Sequence, residues 1–229
     1  MKLRSSRITK PISKVAKQNV KQNNVTKSST SSLIYRIRKE LEFHRKKNYL
    51  PKDSMILKPH VLEWCFPQSA FSQNLTVQRE KEWSKTLLDY NTNQWTTKVG
   101  EQILGEILLC LGKHPRRVSS RMRGENGKQL VPDFETRDAL YECKARTYTT
   151  TGTAGEKILG TPWKYSDCHK LYHKPLYIVC MAYQEKEAES DFCLFNTKSD
   201  IRKKMLDFYA KEAGIYYIRF TDLLKQLIN

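Results

Sequence analysis

Residues 131–146 read VPDFETRDALYECKAR, with Asp133 nine positions ahead of Glu142 and Lys144 two positions beyond it. Taken as a strand over 140–146, side-chain alternation puts Tyr141, Cys143 and Ala145 on one face and Glu142, Lys144 and Arg146 on the other. The first face is expected to pack in a core and the second to carry chemistry. Two acids and a lysine are the side-chain types that metal-assisted phosphodiester hydrolysis draws on.

Upstream, residues 98–112, KVGEQILGEILLCLG, place Ile103, Leu104, Ile107, Leu108 and Leu111 on a helical stripe that ends at Gly112, a suitable C-cap. Strand-like segments are expected at 117–121, 130–135 and 140–147. A Gly- and Thr-rich loop over 149–160 follows. Residues 176–183, LYIVCMAY, have the character of a buried strand, 198–213 of an amphipathic helix and 215–220 of a further strand. This order implies an α/β fold with a mixed central sheet flanked by helices.

The front of the chain is less regular. Residues 33–47, LIYRIRKELEFHRKK, carry apolar side chains at 33, 34, 37, 41 and 43, a spacing that predicts a helix with a basic outer face. A second helix is expected over 77–90, with loops and short helical turns between 51 and 74, where three prolines fall. Residues 1–32 are polar and basic without an amphipathic period, the composition of a disordered arm. Such an arm suits phosphate contacts or nuclear import, and equally a solubilising tail. The expected division is therefore an arm (1–32), a helical extension (33–97) and a catalytic core (98–229).

Across 229 residues, 41 Lys and Arg stand against 24 Asp and Glu, a formal charge of +17 that favours an anionic partner, nucleic acid first. Cys65, Cys110, Cys143, Cys168, Cys180 and Cys193 lack the paired spacing of a zinc module or a disulfide framework, which implies reduced thiols and an intracellular protein. No long apolar run suggests a membrane span, and no apolar segment near the start suggests a signal peptide, so a soluble protein is expected; a nuclear or viral setting is compatible with the basic arm. Lys113, His114, Arg116, Arg117, Arg121 and Arg123 form a basic run suited to phosphates or to solvent. The 149–160 loop with Trp163, Lys164 and Tyr165 suits a nucleic-acid groove or a structural connection. Cys168, His169 and His173 admit a zinc reading, although a plain helix face accounts for them more simply.

Together these motifs resemble the PD-(D/E)XK nuclease superfamily, the fold of most type II restriction endonucleases and of Holliday junction resolvases. The resemblance covers roughly residues 100–220 and rests on Glu101 early in its helix, Pro132 with Asp133, and Glu142 with Lys144. Glu106 competes with Glu101 for the helix acid. The resemblance implies a restriction-endonuclease-like sheet with a helical N-terminal extension, and Mg²⁺ held by Asp133, Glu142 and the backbone carbonyl of Cys143. A second ion is open. Lys144 would orient the attacking water, stabilise charge on phosphorus or act as base, and Glu101 would reach a metal through water or bind a second ion. Arg116, Arg117, Arg121, Arg123, Lys157 and Lys164 would contact DNA, and Gln184 would approach the site. The implied activity is Mg²⁺-dependent hydrolysis of double-stranded DNA by a type II restriction-like homodimer without an organic cofactor. A structure-selective repair or recombination nuclease and a non-catalytic DNA-binding protein are the alternatives.

Overall fold

Leu140–Arg146 forms the central strand of a five-stranded mixed sheet, and its alternation separates two buried clusters. The computed structural model of the chain describes residues 13–88, 95–119, 122–149 and 153–229. Strands β1 (Arg116–Arg117), β2 (Phe134–Glu135), β3 (Leu140–Arg146), β4 (Leu176–Ala182) and β5 (Ile215–Arg219) lie in the order of the chain. The first three pair antiparallel, and β3, β4 and β5 pair parallel. The helices are α1 (Ser13–Lys46), α2 (Val61–Trp64), α3 (Ala70–Gln73), α4 (Val77–Lys85), α5 (Trp95–Cys110), α6 (Lys157–Lys164), α7 (Cys168–Tyr172), α8 (Tyr183–Ser190), α9 (Asp200–Glu212) and α10 (Phe220–Gln226). None among the described residues is long and apolar enough to cross a membrane.

On one side of the sheet, Tyr141, Cys143 and Ala145 of β3 join Val179 and Met181 of β4 against Val99, Ile103 and Ile107 of α5. Trp64, Trp83 and Trp95, with ring centres 5.5–6.0 Å apart, extend this cluster to Ile34, Ile37 and Leu41 of α1. The N-terminal helices therefore share one core with α5. On the other side, Leu140, Ile178, Cys180 and Ile215 pack with Ile158, Tyr165 and Cys168. The period of two expected for β3 holds, and it continues through β4.

Helix α5 sits directly on β3 because Gly100 has no side chain. A Cβ there would stand 2.7 Å from Ala145 Cβ and 3.2 Å from Cys143 Sγ. Gly100→Ala is expected to cost about 1–3 kcal/mol through overpacking, read as a lowered denaturant midpoint with an unchanged slope. An unaltered midpoint would mean that the helix can move off the strand freely.

Several elements differ from the sequence expectation. Helix α1 begins at Ser13, so residues 13–32, expected as a disordered arm, continue into the helix expected over 33–47; residues 1–12 lie outside the described residues. Helix α4 ends at Lys85 rather than at 90, and 89–90 lie outside the described residues. Strands β1 and β2 are two residues each, much shorter than 117–121 and 130–135. The expected loop 149–160 contains a 3₁₀ turn at Thr153–Glu156 and the first turn of α6, while 150–152 lie outside the described residues. Tyr183 and Phe220, expected at the ends of strands, begin α8 and α10.

Candidate functional site

Asp133 reaches β3 because the chain turns back on itself between the two acids. The turn is closed by Thr136 N–H donating to Ala139 O at 2.9 Å, and Phe134 stands opposite Tyr141. One step outward along this antiparallel register brings Asp133 level with Glu142. The nine-residue spacing is thus the length of a hairpin. Asp133 Oδ2 accepts a hydrogen bond from the Cys143 N–H at 2.7 Å.

Glu142 is an acid only 5 % exposed, and both its oxygens are engaged. Lys144 Nζ donates to Oε1 at 2.6 Å, and the Tyr165 hydroxyl donates to Oε2 at 3.0 Å. Lys164 Nζ lies 2.8 Å from that hydroxyl and 4.3 Å from the centre of its ring. Two lysines therefore flank Glu142, one directly and one through Tyr165. Burial, followed by the charge of Glu142, pushes the Tyr165 hydroxyl well above its ordinary value, so it remains a donor at neutral pH.

Asp133 is pushed up to about 7, first by burial and then by the Glu142 carboxylate, against the lowering effect of the Cys143 N–H. Glu101 adds to the rise and Lys144 opposes it. Glu142 thus opposes the ionisation of Asp133 beside it. A half-buried Asp133 beside a buried Glu142 suits a hard divalent cation with oxygen ligands, so the donor set fits Mg²⁺. Among the described residues, no group of three or more His, Cys, Asp or Glu gathers as a metal-binding cluster. The side-chain donors at this point are therefore the Asp133 and Glu142 pair. The Cys143 thiol packs towards Gly100, and burial drives it far from ionisation, which leaves its backbone as the part able to serve the site.

The two acids of α5 have different surroundings. Glu101 Oε2 accepts from Arg117 Nη1 at 2.7 Å and acts electrostatically on Asp133 and Cys143. Glu106 is 4 % exposed and accepts from the backbone N–H groups of Met55 and Ile56, the Ser54 hydroxyl and the Gln102 amide. It closes the Met55–Leu57 turn and is fully occupied there.

The basic residues are dispersed. Arg117 pairs with Glu101 and covers the Phe134 ring at 4.5 Å. Arg116, 73 % exposed at its side chain, pairs with Glu135, while Arg123 donates to Gly127 O at 2.6 Å in the following turn. Lys157 and Lys164 are exposed on α6, and Arg121 lies outside the described residues. Trp163 is 85 % exposed, so it belongs to the surface rather than the core. Gln184 Nε2 donates at 3.4 Å to Gly155 O and to Glu187 Oε2, joining the buried Arg146 and Glu187 pair at the end of β3 rather than the acids.

Tyr165 contacts Glu142, a role that neither of the two sequence readings of its segment, a nucleic-acid groove or a structural connection, specifies. Its signal was slight: an aromatic after a lysine, beyond a glycine-containing turn. If Asp133 and Glu142 hold Mg²⁺, Tyr165→Phe, which removes one hydrogen bond from a buried carboxylate, should weaken that binding about 10–100-fold, measured by titration calorimetry. Unchanged affinity would exclude Tyr165 as the residue that orients Glu142. Comparison with known family models, with curated proteins and with solved structures finds no match to this chain.

Proposed function

We propose that the chain is a Mg²⁺-dependent endonuclease of the PD-(D/E)XK type, with a restriction-endonuclease-like sheet, acting on double-stranded DNA as a type II site-specific enzyme does. The supporting observation is the convergence of Asp133, Glu142 and Lys144 on neighbouring positions of one hairpin, with Glu101 approaching from α5. Mg²⁺, when bound, polarises the phosphodiester and lowers the pKa of water. Asp133 and Glu142 would hold it, with the Cys143 carbonyl as a further protein donor. Lys144, 26 % exposed at its side chain, reaches solvent from beside Glu142. Its ammonium there orients the attacking water and offsets charge on phosphorus in the transition state. The Tyr165 hydroxyl fixes the other oxygen of Glu142. Exposed Arg116, Arg123, Lys157 and Lys164 contribute attraction to the DNA backbone, and the +17 charge strengthens it at low salt.

Supercoiled plasmid incubated with the protein in Mg²⁺ or in EDTA tests this reading. Discrete Mg²⁺-dependent fragments are the expected outcome. Cleavage of a four-way junction with linear duplex left intact would replace it with a structure-selective nuclease. Binding without any cleavage would replace it with a non-catalytic DNA-binding protein.

A further inference from the structure

Helix α9 carries an uncovered apolar line beside a charged line whose signs reverse along its length. None of its residues is buried. Ile201, Met205 and Phe208 are 73 %, 51 % and 59 % exposed, and their spacing of four and three sets them along one side. Met205 also lines a cavity of about 210 Å³ with Leu159 of α6, Leu194, Leu206 and Tyr209, so apolar surface continues from the cavity onto the helix. Asp200, Lys204, Asp207 and Lys211 follow the same spacing one residue earlier and form the adjacent line. Among the described residues, Lys204, Asp207 and Lys211 make no ion pair or side-chain hydrogen bond, and Asp200 meets Lys203 at 3.5 Å.

We propose that this face of α9 docks antiparallel onto α9 of a second copy of the chain, across a two-fold axis. In an antiparallel helix pair, the line flanking the apolar seam faces the same line of its partner read backwards. Reversal turns acid, base, acid, base into base, acid, base, acid. Asp200 then meets Lys211 of the second copy, and Lys204 meets Asp207 of the second copy, each contact occurring twice by symmetry. A parallel pair would set this line against the flank bearing Arg202, Leu206 and Tyr209, where the alternation is lost. An anionic partner such as DNA would favour a uniformly basic line, and alternating signs oppose it. The exposed Ile201, Met205 and Phe208 supply the apolar seam that a docking face requires. The inference is independent of the proposed nuclease activity, because it needs neither DNA nor metal.

The test is sedimentation velocity of the full chain without DNA, from about 1 to 100 μM. A species of twice the 26.9 kDa chain mass is expected. Phe208→Glu should weaken dimerisation roughly 100-fold by placing charge in the seam. Lys204→Asp and Asp207→Lys should each weaken it about tenfold by opposing like charges. An equimolar mixture of those two variants should dimerise again, because each mixed contact regains opposite signs. All three positions are exposed, so unchanged thermal melts will separate loss of docking from loss of folding. A wild-type monomer throughout, a dimer indifferent to Phe208→Glu, or a failure of the mixture to recover would each overturn the proposal.

Discussion

Asp133→Asn is expected to lower the proposed metal-dependent cleavage by roughly 10³-fold or more, equivalent to about 4 kcal/mol of lost transition-state stabilisation. The same substitution should raise the melting temperature of the metal-free protein above neutral pH. Both effects follow from one carboxylate placed beside another out of water. The Asp133 carboxyl lies at about 7 in the folded chain, owing to burial and then to Glu142, against about 3.9 for an unfolded aspartate. The folded state therefore keeps its proton longer than the unfolded state. Stability from this group is complete below about pH 4 and is lost as pH rises through 7. Glu185, also pushed up to about 7, first by burial, loses stability over a similar window. Asparagine retains an acceptor for the Cys143 N–H but removes the charge. A gain on the order of 1–3 kcal/mol at pH 8 is expected, allowing for partial relaxation, with little change at pH 4. Thermal melts in EDTA at both pH values, beside plasmid cleavage in Mg²⁺, measure the two consequences. Full cleavage by the variant would remove Asp133 from the site, and an equal thermal shift at both pH values would refute the electrostatic explanation.

Glu80→Ala should have the largest effect on folding. Glu80 is 2 % exposed on α4, and its carboxylate accepts from the backbone N–H groups of Tyr148 and Thr149, from the Thr149 hydroxyl and from the Trp64 indole at 3.4 Å. It fastens the chain leaving β3 to the N-terminal helices. Truncation strands several buried donors together, each costing about 1–3 kcal/mol if water does not reach it. A total of about 3–5 kcal/mol is expected, a large part of the 5–15 kcal/mol typical of a domain. Glu80→Gln preserves an acceptor and should cost clearly less. Denaturant titration of both variants tests the ranking, and equal losses would show that negative charge rather than hydrogen bonding holds this junction.

The face of β3 that carries Glu142 and Lys144 was legible because strand alternation is local. Glu142 and Lys144 differ by two positions, and Asp133 is joined to them by a short hairpin, so no distant contact was needed to group them. The helix acid was not decided in the same way. Glu101 and Glu106 share α5, and their roles diverge because Ser54, Met55 and Ile56 bond Glu106 from about fifty residues away in sequence. Helices α8 and α10 were hidden because each begins directly where a strand stops. At α10 the Thr221 N–H and hydroxyl are satisfied by Glu185 instead of a capping residue just ahead of the helix.

By itself the sequence determined the mixed α/β class, the apolar stripe of α5, the two faces of β3 and the grouping of Asp133, Glu142 and Lys144. These depend on periodicities of two and 3.6 and on short turns, which neighbouring residues specify. Tertiary structure decided that Glu101 rather than Glu106 approaches the acids, that Tyr165 secures Glu142, and that α9 leaves an apolar line uncovered. Those outcomes depend on which buried polar groups find partners and which apolar faces find cover, and residues far apart in the chain provide both.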